Sequence, residues 1–262
     1  KATKLIQESK NAGVNAVKFQ MWRAHDLYNN KHQNWKFIKK SEITFEKAKK
    51  LKKIADKIGI EFFCSAFYPE AIEILEKLKV KRYKIASRTC LLKDPYSLET
   101  LQEKSLTKKP VIISMGMGGD RKKIEKIFSK NKKIFCYCIS EYPTEINKID
   151  WKNAIKYDGF SDHTLGITAS LIFTMLKKQQ NIKNIFIEKH VKLNDSKGPD
   201  ASSSINTEEL TNLVSAVRKI EKIKINNYAN LLIESIIFSI SEFLRLGCIG
   251  IVTICLPTRS VV

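Results

Sequence analysis

Two histidines and two lysines pose the chemical question. His163 and His190 each follow a short apolar run, Gly159-Phe160-Ser161 and Asn184-Ile185-Phe186-Ile187-Glu188. Imidazoles at the ends of neighbouring strands, about 4.8 Å apart, can share one divalent cation, with Asp162, Glu188 and Asp200 close by as oxygen donors. Two nitrogens with oxygen or water completing the shell suit a hard or borderline ion such as Mn2+ or Mg2+ better than a closed structural zinc. The other two histidines, His25 and His32, lie in a polar stretch and read as surface residues.

Lys18 and Gln20 are two apart, so on a strand they project to the same side. Lys84 interrupts Tyr83-Lys84-Ile85, a run that otherwise reads as buried. Two ammonium groups over one opening make an anion site, and Ser65, Ser87, Ser114 and Ser161 add hydroxyl donors for carboxylate or phosphate oxygens. Ser140 and Tyr142 also end an apolar run. Cys136 and Cys138 share a strand face as well, and without a base near them in sequence they read as buried thiols.

The elements that must position these residues follow from hydrophobic period. Strands are expected at Val14 to Gln20, Ile60 to Cys64, Arg82 to Ala86, Val111 to Ser114, Lys133 to Cys138, Gly159 to Ser161 and Asn184 to Glu188. Phe45 to Ile58 carries Ala48, Leu51, Ile54, Ala55 and Ile58 on one face, with Thr44 to cap it and Gly59 to stop it. Pro69 opens a second helix, Asp120 caps a third, and Thr207 with Glu208 and Glu209 starts the last. After a long loop over residues 21 to 44, strand and helix alternate regularly, which means a parallel sheet. Seven such units plus an opening helix without its strand make eight. The expected fold is therefore α/β, a (β/α)8 TIM barrel lacking its first strand, occupying residues 1–223. In such barrels chemistry gathers at the carboxyl ends of the strands, where the polar residues named above fall. The Gly-rich segment Met115-Gly116-Met117-Gly118-Gly119 is too weak a signal for a nucleotide fold.

Composition narrows the function classes. The chain has 262 residues, 43% of them apolar, enough to close a substantial core. The net charge is +20, from 47 basic against 27 acidic residues. Lysines mix with Ile and Asn along the whole chain instead of gathering with Arg and aromatics in one stripe, which argues against a nucleic-acid partner and leaves anionic small molecules. Six cysteines without a Cys-x-x-Cys pair, and no secretory leader, point to reduced thiols in a cytoplasmic protein. Residues 224–262 are apolar and poorly patterned and remain unassigned. Glu234, Glu242 and Arg245 break them up, so no membrane span is expected.

Taken in order, Val17-Lys18-Phe19-Gln20, Tyr83-Lys84-Ile85-Ala86-Ser87, Ser140-Glu141-Tyr142-Pro143-Thr144, Ser161-Asp162-His163-Thr164, Glu188-Lys189-His190 and Gly198-Pro199-Asp200 resemble the N-acetylneuraminate (sialic acid) synthase family. The likeness runs from residue 1 to about 223. It implies a (β/α)8 barrel and the condensation of phosphoenolpyruvate with an N-acetylmannosamine-type sugar, giving a nine-carbon 2-keto acid (sialic, legionaminic or pseudaminic acid) and phosphate. It implies Mn2+ as the ion, with Mg2+ or Co2+ as alternatives, and a homodimer. By motif, Lys18, Ser65, Lys84, Ser87, Ser114, Ser140 and Ser161 would hold phosphoenolpyruvate, His163 and His190 the metal, and Gln20, Tyr142 and Asp200 the sugar. Lys18, Lys84, His163 and His190 would form the catalytic set.

There are departures from the family pattern. The family's first strand, with a catalytic-site carboxylate, would precede Lys1, and the antifreeze-like domain that lends an Arg to the partner's sugar site is not recognisable after Ile223. Ser65-Ala66 stands where Thr-Pro is usual, Met115 where a Thr is usual, and Arg88-Thr89 where Gly and an acidic residue are usual. These departures keep a second expectation open, a barrel remnant that binds an anion or a partner chain without turnover.

Overall fold

The computed structural model describes residues 1–194, 196 and 200–224, and the backbone of 253–257. Gly198 and Pro199 of the last family string, and the rest of the apolar tail, lie outside the described residues. In chain order the first elements are α1 (Ala2–Asn11), β1 (Ala16–Met21), α2 (Ala24–Leu27), α3 (Trp35–Ser41), α4 (Phe45–Ile58), β2 (Glu61–Ala66), α5 (Pro69–Lys77), β3 (Tyr83–Ile85) and α6 (Ser97–Leu106). They are followed by β4 (Val111–Ser114), α7 (Arg121–Ile127), β5 (Lys133–Cys138), α8 (Trp151–Ala154), β6 (Gly159–Asp162), α9 (Thr168–Gln179), β7 (Phe186–His190), α10 (Thr207–Lys222) and β8 (Thr253–Pro257). The chain divides into two compact units, Ala16–Cys138 and Lys1–Asn15 with Ile139–Val262.

In the unit Ala16–Cys138, β1 to β5 pair in sequence order, all parallel. Helix α4 shows why the sequence folds this way. The Thr44 hydroxyl accepts from Lys47 N, closing the open amino end, and Gly59 at φ 74° takes the left-handed conformation that ends the helix. Of the expected inward face, Ala48, Leu51 and Ala55 are buried, while Ile54 and Ile58 are half-buried. Pro69 sits at the start of α5, where its missing N–H costs nothing, and the Asp120 carboxylate caps α7 through Lys123 N. The expected long loop after β1 holds two short helices, α2 and α3. They fall below the length at which apolar period is readable, and His25 and His32 are exposed there as expected.

In the unit Lys1–Asn15 with Ile139–Val262, β6 and β7 are parallel, and β8 runs antiparallel along β7. That last pairing was not expected, because the tail carries no alternation to announce a strand. Helix α10 begins on a reciprocal cap: Asn206 Oδ1 accepts from Glu208 N and Glu209 N while the Glu209 carboxylate accepts from Asn206 N. Its inward residues Leu210, Leu213, Val214, Val217 and Ile220 are buried, and Phe160 of β6 stacks on Phe173 of α9 at 5.2 Å. Among the described residues no helix is long and apolar enough to cross a membrane.

Candidate functional site

Parallel pairing places residues of neighbouring strands at one level with their side chains on one face. In the unit Ala16–Cys138, Gln20 pairs with Ser65 and Ser65 with Lys84, a polar row across the carboxyl ends of β1, β2 and β3. Lys18 lies one pleat lower on the same face of β1, paired with Phe63. Both lysines are buried, at 5% exposure for Lys18 and 1% for Lys84. Lys84 Nζ donates to Ser114 Oγ at 2.7 Å and to Ile85 O at 3.0 Å, so its ammonium turns toward the end of β4. Ser65 Oγ is fully buried and has no hydrogen-bond partner among the described residues. A hydroxyl left so is costly unless something completes it.

Ser87, just past β3, accepts from Gly116 N at 3.0 Å and lies 3.6 Å from Cys138 Sγ. Gly116 is required there, since a Cβ would fall 2.6 Å from Cys138 O and 2.8 Å from its Sγ. The Gly-rich segment thus serves a close backbone approach beside β5. Cys138 corrects the sequence expectation: it is only half-buried and touches Ser87, because β5 ends where the polar loops begin. Cys136 is buried as expected. Burial pushes the Cys64 thiol up to about 12 and the Cys90 thiol up to about 11, which keeps both protonated and unreactive at neutral pH.

In the other unit the imidazoles come together. The ring centroids of His163 and His190 are 5.3 Å apart and nearly perpendicular. Tyr142 lies against both, at 4.2 Å from His163 and 5.8 Å from His190, with 42% of its surface exposed. His163 Nδ1 is 2.7 Å from Ile139 O; a carbonyl can only accept, so Nδ1 carries a proton, and in the neutral ring the lone pair is left on Nε2. His190 Nδ1 faces Asp200 Oδ2 at 3.6 Å. Ser161 Oγ donates to Glu188 Oε1 at 2.9 Å, joining β6 to β7. Ser140 is half-buried at the start of the loop that carries Tyr142.

Asp162 is not a spare oxygen donor beside the histidines. Its buried carboxylate accepts from Thr164 N, Thr164 Oγ1 and Ser170 Oγ and pairs with Lys189 Nζ at 3.2 Å. Lys189 also donates to Thr164 O at 2.5 Å. Burial, partly offset by Asp162, lowers the Lys189 pKa from its usual value. This cluster fixes the turn on either side of His163, and its members are ordinary polar residues to a sequence reader. Sequence reasoning also passed over Ile139, whose carbonyl sets the His163 tautomer and leaves no mark on the side-chain pattern. Among the described residues no three His, Cys, Asp or Glu side chains gather as a complete ligand set. Two imidazoles with substrate or solvent oxygens are the donor set these residues can offer.

The model of the NeuB family matches residues 5–228. An uncharacterized protein of Methanocaldococcus jannaschii is 34% identical over 232 residues, covering 83% of this chain and 65% of that protein. The N,N'-diacetyllegionaminic acid synthase of Legionella pneumophila is 29% identical over 254 residues, covering 85% of this chain and 68% of the enzyme. The chain thus spans about two thirds of the length of these relatives. A solved N-acetylneuraminic acid (sialic acid) synthetase from Leptospira borgpetersenii superposes with a TM-score of 0.73 at 25% identity, over 89% of this chain and 85% of that one.

Proposed function

Because the chain belongs to the NeuB family, we propose that it condenses phosphoenolpyruvate with an N-acetylmannosamine-type amino sugar on a (β/α)8 barrel, a reading supported by its similarity to a legionaminic acid synthase. The product is a nine-carbon 2-keto sugar acid of the sialic, legionaminic or pseudaminic kind, released with inorganic phosphate. The observation that carries this reading is Ser65 Oγ, buried without a partner among the described residues, in one row with Gln20 and Lys84. A ligand oxygen at that row would complete the hydroxyl and meet the lysine charge.

In this reading Lys18 and Lys84 neutralise the carboxylate and phosphate of phosphoenolpyruvate, Ser65, Ser87, Ser114 and Ser140 donate to their oxygens, and Ser161 joins them when its hydroxyl turns from Glu188 Oε1. Carbon 3 of phosphoenolpyruvate forms a bond to the aldehyde carbon of the open-chain sugar, whose oxygen takes up a proton. Water then adds to the cationic carbon 2, and the C–O bond to phosphate breaks as carbon 2 becomes a ketone. Holding both reactants in line can supply roughly 7–11 kcal/mol of the barrier. His163 and His190 would hold Mn2+, or Mg2+ or Co2+ in its place, which when bound supplies Lewis-acid polarisation of the aldehyde. The Ile139 carbonyl fits that role, because it presents His163 with the lone pair on Nε2. Gln20, Tyr142 and Asp200 contact the sugar, and Asp200 also steadies His190. The working unit is a homodimer.

The test is incubation with phosphoenolpyruvate, Mn2+ and a panel of N-acetylmannosamine and diacetamido-trideoxy sugars, with phosphate release followed and products weighed by mass spectrometry. A product equal to sugar plus pyruvate supports the reading. Saturable phosphoenolpyruvate binding with no phosphate from any sugar would favour the binding remnant instead.

A further inference from the structure

Helix α6 buries the wrong residue for its composition. Its inward stripe is Ser97, Thr100, Leu101 and Lys104, while Leu98 and Leu106 stay 40% and 71% exposed. The Lys104 side chain is fully buried. Its Nζ donates to Ala66 O at 2.7 Å and to Lys84 O at 3.5 Å, the carbonyls at the end of β2 and within β3. Among the described residues it forms no ion pair. Burying an ammonium without a counter-charge is unfavourable, so its place calls for a gain elsewhere.

The gain lies in what those carbonyls belong to. The pairing of β2 with β3 is limited to Ser65 with Lys84, whereas β1 and β2 pair over six positions. Lys104 reaches the two strands beside that single pairing, from behind the row that carries Ser65 and Lys84. We infer that Lys104 is a positioning residue, a clamp that sets the relative height of Ser65 and Lys84 for an anionic ligand. This rests on the proposed phosphoenolpyruvate site and adds to it a residue that touches no substrate.

The clamp also couples to charge. Burial lowers the Lys104 pKa to about 7, with nearby Lys84 lowering it further and the thiols of Cys90 and Cys64 acting the other way. A multiply charged anion at Lys84 would draw a proton onto Lys104. Phosphoenolpyruvate titrations by calorimetry, from pH 6 to 9, compare the wild type with Lys104→Met, which keeps the length and removes the donors. The expected result is roughly tenfold weaker binding by the variant, with a flatter decline in affinity as pH rises through neutrality. Equal affinity and equal pH dependence in a folded variant would overturn the clamp and leave the proposed function standing. Failure of the wild type to bind phosphoenolpyruvate would overturn the proposed site itself. If the variant does not fold, the wild type still decides: the ε-carbon NMR signal of Lys104 should titrate at higher pH with saturating phosphoenolpyruvate. An unmoved midpoint would overturn the inference.

Discussion

Asp162→Asn changes one oxygen to nitrogen at the centre of the turn around His163, and its cost can be worked from the contacts. Oδ1 accepts from Thr164 N at 2.8 Å, from Thr164 Oγ1 at 2.8 Å and faces Lys189 Nζ at 3.2 Å; Oδ2 accepts from Ser170 Oγ at 2.6 Å. An amide has a single acceptor oxygen, so one orientation turns Ser170 from donor into acceptor and the other points N–H groups at Thr164 and Lys189. In both, Lys189 loses its counter-charge while fully buried. Breaking a buried pair from one side costs about 3–5 kcal/mol. For a chain of this size that is a drop in Tm of roughly 10 °C, at about 2–4 °C per kcal/mol. Urea unfolding of Asp162→Asn, Lys189→Met and the double variant forms the cycle, and the double variant should recover much of the loss because the orphaned charge is gone. A loss under about 1 kcal/mol in Asp162→Asn, or simple additivity in the double variant, would refute the reasoning, since both would mean that Lys189 does not depend on Asp162.

Three further outcomes are expected. Gly116→Ala should cost about 1–3 kcal/mol by overpacking against the Cys138 backbone and should weaken phosphoenolpyruvate binding through Ser87. Gly118→Ala, which meets nothing within 4 Å, should show only the strain of its φ of 88°; equal effects by thermal melting and calorimetry would contradict the close-approach argument. His163→Ala should lose Mn2+ binding in a direct titration, while Lys18→Ala, on the other unit, should retain it. Lys104 has a pKa of about 7 folded and near 10.5 unfolded, so between those values the unfolded chain binds more protons. Stability should therefore rise with pH from 7 toward 10 in the wild type relative to Lys104→Met, and parallel urea midpoints across that range would refute the shift.

Elements with their own local signals were legible in sequence. Thr44 and Gly59 bracket α4 at the residues expected of them, and β4 and β5 have the expected bounds. The strand ends drew attention to Lys18, Gln20, Ser65 and Lys84 because a polar side chain closing an apolar run is conspicuous. What stayed hidden depended on tertiary context. Lys104 reads as a solvated lysine between exposed-looking neighbours, and only the orientation of α6 turns it inward while leaving Leu106 outside. Asp162 looks like a ligand because it adjoins His163, yet alternation along β6 aims it away, toward Ser170 and Lys189. Helix α10 starts at Thr207 as expected, whereas its cap at Asn206, closed by the Glu209 carboxylate reaching back, was not read from the sequence.

The central claim is that Ser65 and Lys84, paired at the ends of β2 and β3, receive phosphoenolpyruvate, with Gln20 beside them for the sugar. Its most direct test is a calorimetric titration of phosphoenolpyruvate, with Mn2+ present, into the wild type and into Lys84→Ala of matched thermal stability. Saturable binding at one site in the wild type, and its loss in the variant, is the expected result. Indistinguishable isotherms in the two proteins would contradict it.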